Sequence, residues 1–342
     1  MIASLHPFAR IPAPRPGCRA TVVIPARDEA SRIERTLEAL AAQCDFDGSP
    51  LAADRFDVLV YANNCSDATA GVARSVARRH PDRAIHVAEE WLPPNVAHIG
   101  TARRAAMNAA RARFAAAGIM QAVLAATDAD TVASPVWLVW TLREMERADA
   151  VMGRILVDPL EWLALPLSIR AMLSEENAYH FAIAQLATRL DPKAYDPWPR
   201  HWQRSGPSFA VRLAAYDAAG GVPPVRALED IALYEALRLT GARIRHSLRV
   251  RVTTSARLHA RAPGGFGSRL DVWNMLGDAY RPLLVEDPDL TVARLSGERV
   301  GPAESQPLVM TAIEATAVLR QLIARGVSDE RATRSSVASI AG

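Results

Sequence analysis

Ala20-Thr21-Val22-Val23-Ile24-Pro25-Ala26-Arg27-Asp28-Glu29 is the stretch that decides the fold. Its first half is a short β-branched run closed by proline, the pattern of a strand buried in a parallel sheet. Its second half turns polar at once. Ser31-Arg32-Ile33-Glu34 follows with capping-box spacing. Ile33, Leu37, Leu40 and Ala41 then recur at helical period. Residues 31–43 are expected to form a helix packed on that sheet.

The same unit recurs outward from it. Phe56-Asp57-Val58-Leu59-Val60-Tyr61 reads as a second strand, and Asn63 to Asp67 as a polar turn. Ser66 or Asp67 can cap a helix over 68–79. Ile85-His86-Val87 is a third strand, and a helix is expected from 101 to 117. Ala122-Val123-Leu124-Ala125-Ala126-Thr127 is a fourth strand, ending at Asp128-Ala129-Asp130. This alternation predicts an α/β chain: a Rossmann-like, mostly parallel sheet flanked by helices, with a helical C-terminal extension.

Beyond Asp130 the rhythm weakens. Residues 135–147 read as helix, 150–157 as strand, and 160–190 as helical material interrupted at Pro166. Residues 191–204 are rich in Pro, Trp and charge and read as a loop. A strand over 206–211, a helix over 229–240 and a strand over 244–252 follow. From 270 onward the pattern is mostly helical, then polar near 328–342.

Composition narrows the function. Half of the 342 residues are hydrophobic, enough for a sizeable core. The net charge of +3 is too small to imply nucleic acid. Lys193 is the only lysine, so phosphate contacts fall to arginine, whose planar fork binds oxygens in pairs. Cys18, Cys44 and Cys65 are an odd set and give no disulfide framework. A cytoplasmic protein is expected, with contact at the inner membrane face left open. Residues 1–18 form a Pro-rich arm without a signal-peptide run, and no stretch is long and apolar enough to span a membrane. The helix near 308–323 can serve a membrane surface, a homodimer or the core, and the core is the commoner use.

Ligands of an open α/β sheet bind beyond the carboxyl ends of its strands. Three polar clusters stand there: Pro25 to Glu29, Asn63 to Asp67, and Asp128-Ala129-Asp130. Two carboxylates two residues apart, on backbone leaving a sheet, can face one hard cation. Mg2+ or Mn2+ takes such oxygen ligands and shares them with substrate phosphates.

Taken in order, these clusters resemble glycosyltransferase family two. Val22 to Glu29 is similar to the family's opening strand and Pro-Ala/Thr-x-Asn-Glu turn, with Asp28 where Asn is usual. Tyr61 to Thr69 is similar to its second turn, Asp128-Ala129-Asp130 to its Asp-x-Asp motif, and Leu228-Glu229-Asp230 to its Glu-Asp motif. The resemblance spans roughly residues 20–260 and implies a GT-A fold. It divides the chain into the arm (1–18), a catalytic domain (19–260) and a loop and helical extension (261–342). The catalytic domain splits into a nucleotide-binding half (19–130) and an acceptor half (131–260).

The resemblance also implies an activity: inverting, metal-assisted transfer of a hexose from a UDP- or GDP-type sugar to a hydroxyl acceptor. Pro25, Ala26, Arg27 and Glu29 would line the nucleoside pocket, with Asn63 near the base. Arg103, Arg104 and Asn108 lie where the family carries a basic residue and an Asn near the sugar diphosphate, and Arg104 is taken as the donor contact with Glu229. Asp130 would bind the Mn2+ or Mg2+, with Asp128 contacting it or the ribose, and Asp230 would be the general base. His259 would be a further metal ligand or a plain loop histidine. Gly206 to Arg212 and the Gly220-Gly221 pair are similar to glycines flanking the family's acceptor site, where ordinary turn chemistry explains Gly220 and Gly221 as well. Tyr195, Trp198, His201 and Trp202 suit an acceptor platform, a loop anchor or a dimer contact.

Rival readings fail on specific residues. A dinucleotide-binding dehydrogenase needs a Gly-rich first turn. A sugar nucleotidyltransferase wants a Gly-rich, Lys/Arg-bearing first loop. Neither glycine nor lysine occurs between 18 and 47. A non-catalytic nucleotide-sugar binder or scaffold remains the reading from another class, since Asp28 and Asn63 depart from the family pattern.

Overall fold

The structure, a computed structural model, describes residues 7–258, 264–277, 282–296 and 310–325. It falls into two compact units: Met1–Leu163 with Gln203–Asp271, and Ala164–Trp202 with Val272–Gly342.

The first unit is built on eight strands: β1 (Ala20–Ala26), β2 (Phe56–Asn63), β3 (Ala84–Glu90), β4 (Val123–Ala126), β5 (Thr131–Ala133), β6 (Ala150–Val157), β7 (Phe209–Arg212) and β8 (Ile244–Thr254). They form one sheet in the order β3-β2-β1-β4-β7-β6-β8-β5. The first four neighbours are parallel, as expected, with Val22 opposite Val58 on one side and Ala125 on the other. β7 runs antiparallel between β4 and β6, and β5 antiparallel against β8. The sheet is therefore α/β and mixed, with parallel pairs in the majority.

The helices of this unit are α1 (Ile33–Ala41), α2 (Thr69–Arg79), α3 (Ile99–Ala116), α4 (Trp137–Glu144), α5 (Pro159–Ala164, crossing into the second unit at its last residue), α7 (Leu213–Ala218) and α8 (Glu229–Leu239); α6 (Leu167–Leu190) belongs to the second unit. Alternate strand residues feed two separate cores. Val22, Ile24, Val58 and Val60 pack with Ile33, Leu37 and Leu40 of α1 and Trp137 of α4. Val23, Leu59, Tyr61 and Leu124 pack with Met107 and Phe114 of α3 and Leu233 and Leu237 of α8. Burial on both faces is why β1 and β2 read as unbroken apolar runs. Each large side chain so buried contributes about 1.5–3 kcal/mol.

Two local expectations change. The capping box at Ser31 does not form: α1 starts at Ile33 with Arg32 as its cap and no side-chain capping bond. Backbone replaces it, since Arg32 N and Ile33 N both donate to Glu29 O at 2.9 Å. Ser66 and Asp67 do not occupy the cap of α2, which is Ala68. Asp67 instead makes a turn, its Oδ1 accepting from Thr69 N at 2.9 Å.

In the second unit, Pro166 caps α6, at the break read from the sequence. Its other described elements are β9 (Leu284–Val285), α10 (Pro288–Leu295), β10 (Met310–Thr311) and α11 (Ala312–Arg325); α9 (Phe266–Met275) runs across the boundary. Tyr179, Ala182 and Leu186 of α6 pack with Ala312, Ala315, Leu319 and Ile323 of α11. α11 thus turns its apolar stripe to a core. Trp202 stacks on His180 at 4.3 Å, Trp198 meets Phe181 edge-on at 5.5 Å, and His201 is fully buried. These contacts anchor the 191–204 loop on α6. Among the described residues, no helix is long and apolar enough to cross a membrane.

Candidate functional site

The site grows from the carboxyl ends of β1, β2 and β4. Asp28, with φ 55°, turns the chain out of β1, a conformation short polar side chains tolerate. Its Oδ1 accepts from Ser66 N at 2.6 Å and Ser66 Oγ at 2.9 Å. Asp67 Oδ2 accepts from Ala30 N at 2.9 Å, and Glu29 N donates to Thr69 Oγ1 at 2.8 Å. The first two motif loops are therefore stitched together. Asn64, with φ 51°, extends the seam: its Nδ2 donates to Leu92 O at 2.7 Å and its Oδ1 accepts from Leu92 N at 3.0 Å. Pro25, Ala26 and Asn63 lie buried at these strand ends, and Arg27 is half exposed, donating to Ala97 O at 3.2 Å. Asp28, Cys65 and Asp67 bring ligand atoms within 4.8 Å of one another. Both carboxylates already accept backbone and hydroxyl bonds there, so the cluster braces the loops. Burial pushes the Cys65 thiol up, away from reactivity.

The acidic pair sits between β4 and β5, its turn held by Thr36 Oγ1 donating to Ala129 O at 2.9 Å. Each carboxylate meets an arginine. Arg103 of α3 donates from Nη2 to Asp128 Oδ1 at 2.7 Å and from Nε to Glu229 Oε1 at 2.8 Å. Arg257 grips Glu29 with both terminal nitrogens at 2.8 and 2.6 Å, and lies 3.1 Å from Asp130 Oδ2. Burial, then the neighbouring Asp128, pushes the Asp130 carboxyl up to about 6, against the pull of Arg257.

Asp230 opens α8. Its Oδ2 accepts from Gly206 N at 2.5 Å and its Oδ1 from Ile231 N at 2.8 Å. A Cβ on Gly206 would lie 2.7 Å from Arg103 Nη2 and 3.2 Å from Asp230 Oδ2. Arg103 and Asp230 thus border the same small space, which only glycine leaves open. Among the described residues, the non-glycine positive φ values fall at Asp28, Asn64 and Leu228, each inside a motif loop. Such strain persists where the surroundings over-determine it, commonly at functional sites.

The structure brings Asp128, Glu229 and Asp230 together around Arg103, and Glu29 and Asp130 together around Arg257. Arg104 stands apart: its guanidinium reaches the carbonyls of Val222 and Gly220. Helical spacing separates the two arginines, since Arg103 shares a face with the buried Ala106, Met107 and Ala110. Asn108 accepts from Tyr216 Oη at 2.7 Å. Gly220 and Gly221 both have φ 76°, in keeping with turn chemistry. His259 lies outside the described residues.

Sequence reading missed Glu161. From α5 it accepts from Arg32 Nη1 at 2.6 Å, Ser255 Oγ at 2.8 Å and Ala256 N at 2.6 Å, fixing the segment that carries Arg257. Burial alone would raise its carboxyl, but the Arg32, Ser255 and Ala256 bonds outweigh it and hold it below the usual 4.5. A depressed carboxylate adds stability above its unfolded value, and that contribution is lost as pH falls through its folded value. Glu161→Gln should cost about 1–2 kcal/mol at neutral pH, discounted for partial exposure. Thermal unfolding should show the wild-type advantage narrowing once pH drops below about 4.5. An advantage independent of pH would contradict this role.

Residues 16–185 match the family model described as Glycosyltransferase like family 2. That segment belongs to this family. The family 2 domain so defined carries β1 to β6 and both loops stitched by Asp28 and Asp67; Glu229, Asp230 and Arg257 lie beyond it. No curated protein matches the chain in sequence. Solved structures of similar fold include Staphylococcus aureus TarS 1–349 in complex with UDP, 16% identical with a TM-score of 0.48, the match covering 70% of this chain and 61% of that one. The chain thus spans about 61% of that structure's length. The mannosyltransferase PcManGT from Pyrobaculum calidifontis in complex with GDP-Man and Mn2+ is 17% identical, with a TM-score of 0.46 over 96% of this chain and 88% of that one. The glucosyl-3-phosphoglycerate synthase from Mycobacterium tuberculosis, in complex with Mn2+, UDP and glucosyl-3-phosphoglycerate, is 15% identical, with a TM-score of 0.40 over 83% and 82%.

Proposed function

We propose that the protein transfers a sugar from a nucleoside diphosphate, of the UDP or GDP type, to a hydroxyl acceptor, with inversion at the anomeric carbon. One observation carries this reading: the Arg103 Nη2 that donates to Asp128 Oδ1 also borders, with Asp230 Oδ2, the space that Gly206 leaves open.

A divalent cation fits the residues present. Asp128 and Asp130 offer hard oxygen ligands, and the Asp130 carboxyl is raised by burial and then by the neighbouring Asp128 charge. Asp130 and Asp128 would hold Mn2+ or Mg2+, with Asp128 also toward the donor, while Glu229 is engaged by Arg103. The ion supplies charge neutralisation and a template for the departing diphosphate. His259 is a third candidate ligand.

The remaining work falls to the chain itself. Pro25, Ala26, Arg27, Glu29 and Asn63 form the nucleoside side of the cleft. Arg257 stands beside Asp130 with a guanidinium suited to paired phosphate oxygens. Asp230 Oδ2 receives the acceptor hydroxyl proton as that oxygen bonds to the anomeric carbon and the diphosphate leaves from the far face. A single base and no carboxylate nucleophile give one displacement, hence inversion. Such a base contributes about 10²–10⁴-fold in rate. Arg104, turned to the 220–222 loop, is better assigned to bracing that loop than to the donor.

The test is a thermal-shift panel of UDP-, GDP-, dTDP- and ADP-sugars, with and without Mn2+. A ligand of the native state raises the melting temperature by mass action, by about 2.7 kcal/mol of stability at a hundred times its Kd. A shift that needs both Mn2+ and one nucleotide class is expected. No shift with any member would sink the reading.

A further inference from the structure

We infer that Arg103 is a positioning residue: its guanidinium, lodged between Asp128 and the Glu229-Asp230 pair, aims the Asp230 carboxylate and takes no part in holding the donor diphosphate. The inference rests on the transferase reading above and departs from the family resemblance, which puts the basic residues of this helix beside the diphosphate.

Charge argues first. The Arg103 side chain is only 3% exposed, and two of its nitrogens are spent on Glu229 and Asp128. Asp230 borders it as well. A diphosphate drawn to this guanidinium would come up against three carboxylates of its own sign. Arg103 Nη1 is buried and without a hydrogen bond among the described residues, so it offers no exposed face either.

Geometry argues second. The segment before Asp230 meets α3 twice. A Cβ on Gly100 would lie 1.9 Å from Val225 O and 3.4 Å from Glu229 Cβ, so α3 touches that backbone directly. One helical turn on, Arg103 grips the Glu229 carboxylate. Residues three apart on a helix share a face, so one edge of α3 holds both ends of the 225–229 segment. Between those two holds lies Leu228, at φ 57°. A branched side chain in that region needs its neighbours to keep it there. With Glu229, the first residue of α8, tied inward, Asp230 follows with its carboxylate against Gly206 N. The fork also spans two places at once, the turn after β4 through Asp128 and α8 through Glu229. A lysine could reach one of them but not both.

The experiment follows hydrolysis, with water as acceptor and Mn2+ present, of the sugar nucleotide giving the largest shift in the panel. Its nucleoside diphosphate, UDP or GDP, is titrated separately by calorimetry. Arg103→Met and Glu229→Gln are each expected to lower kcat about a hundredfold, the cost of a small misplacement at a reacting centre. Diphosphate affinity should stay within about threefold, since neither side chain touches it. The double variant should be no slower than the poorer single, because the two residues act as one unit. Arg103→Lys should recover part of kcat. If Arg103→Met fails to fold, the double variant removes both members of the buried Arg103–Glu229 pair and leaves only the part-exposed Asp128 carboxylate without its arginine.

Diphosphate affinity weakened about tenfold or more with kcat kept, or losses that multiply in the double variant, would overturn the inference alone. So would a double variant with wild-type kcat. A wild type that neither binds nor hydrolyses any sugar nucleotide overturns the transferase reading itself, and that is seen before any variant is made.

Discussion

Asp230→Asn is expected to lower the transfer rate by about 10²–10⁴-fold while leaving binding of the nucleoside diphosphate nearly unchanged. The substitution keeps the size of the side chain and one carbonyl oxygen, which can still accept from Gly206 N, the bond that Asp230 Oδ2 now makes at 2.5 Å. It removes the ability to take a proton. Because the affected group acts only as the acceptor hydroxyl is deprotonated, the loss should fall on kcat and kcat/KM together rather than on donor KM. Single-turnover hydrolysis of the sugar nucleotide, beside calorimetric titration of the free diphosphate, separates the two. A variant that retains wild-type turnover would remove Asp230 from the mechanism, and with it the argument for a single-displacement, inverting reaction. A variant that loses diphosphate binding in proportion to its rate would move Asp230 to the donor side of the cleft.

Much of this arrangement was legible in the residues, for identifiable reasons. β1, β2 and β4 are buried on both faces, so their sequences are continuous apolar runs, and their ends are marked by abrupt polarity at Arg27, Asn63 and Asp128. α6 begins directly after Pro166, which cannot supply an amide inside a helix. β5 is three residues long, too short to show a period, and nothing local announces that β7 enters the sheet antiparallel. Direction is settled by how the chain returns, which is a tertiary matter. Within the site, Asp28, Asp67, Asp128 and Asp130 stood out because each follows a strand. Their partners did not. Arg103 and Arg104 are adjacent and chemically equal, and only the buried face of α3 distinguishes them. Glu161 is far from any motif in sequence, and its importance comes from meeting Arg32 and Ser255 in space; only the fold shows that Arg257, two residues before His259, meets Glu29 and Asp130. The departure at Asp28 has a local explanation: the position needs a short acceptor at positive φ, and a carboxylate serves Ser66 as well as an amide oxygen would.

Asp130→Ala should separate stability from ligand response in opposite directions. The Asp130 side chain is 13% exposed and faces Asp128 and Glu29, with Arg257 3.1 Å away. Its carboxyl lies at about 6, above the ordinary 3.8, so the folded state holds the proton more tightly than the unfolded one. Stability therefore falls as pH rises from about 4 to about 6, and the ionised form remains a burden above that range. Replacing Asp130 by alanine lifts that burden and leaves Arg257 its paired bonds to Glu29. The metal-free variant should melt no lower than the wild type at neutral pH. Its response to ligand should vanish: without the carboxylate, Mn2+ should raise neither the melting temperature nor the affinity for the sugar nucleotide, and transfer should drop by several orders of magnitude. Melting curves at neutral pH, with and without Mn2+ and the nucleotide, read both effects in one experiment. A variant that melts lower yet keeps its Mn2+-dependent shift would make Asp130 a structural acid, and the cation would have to be sought elsewhere along the cleft.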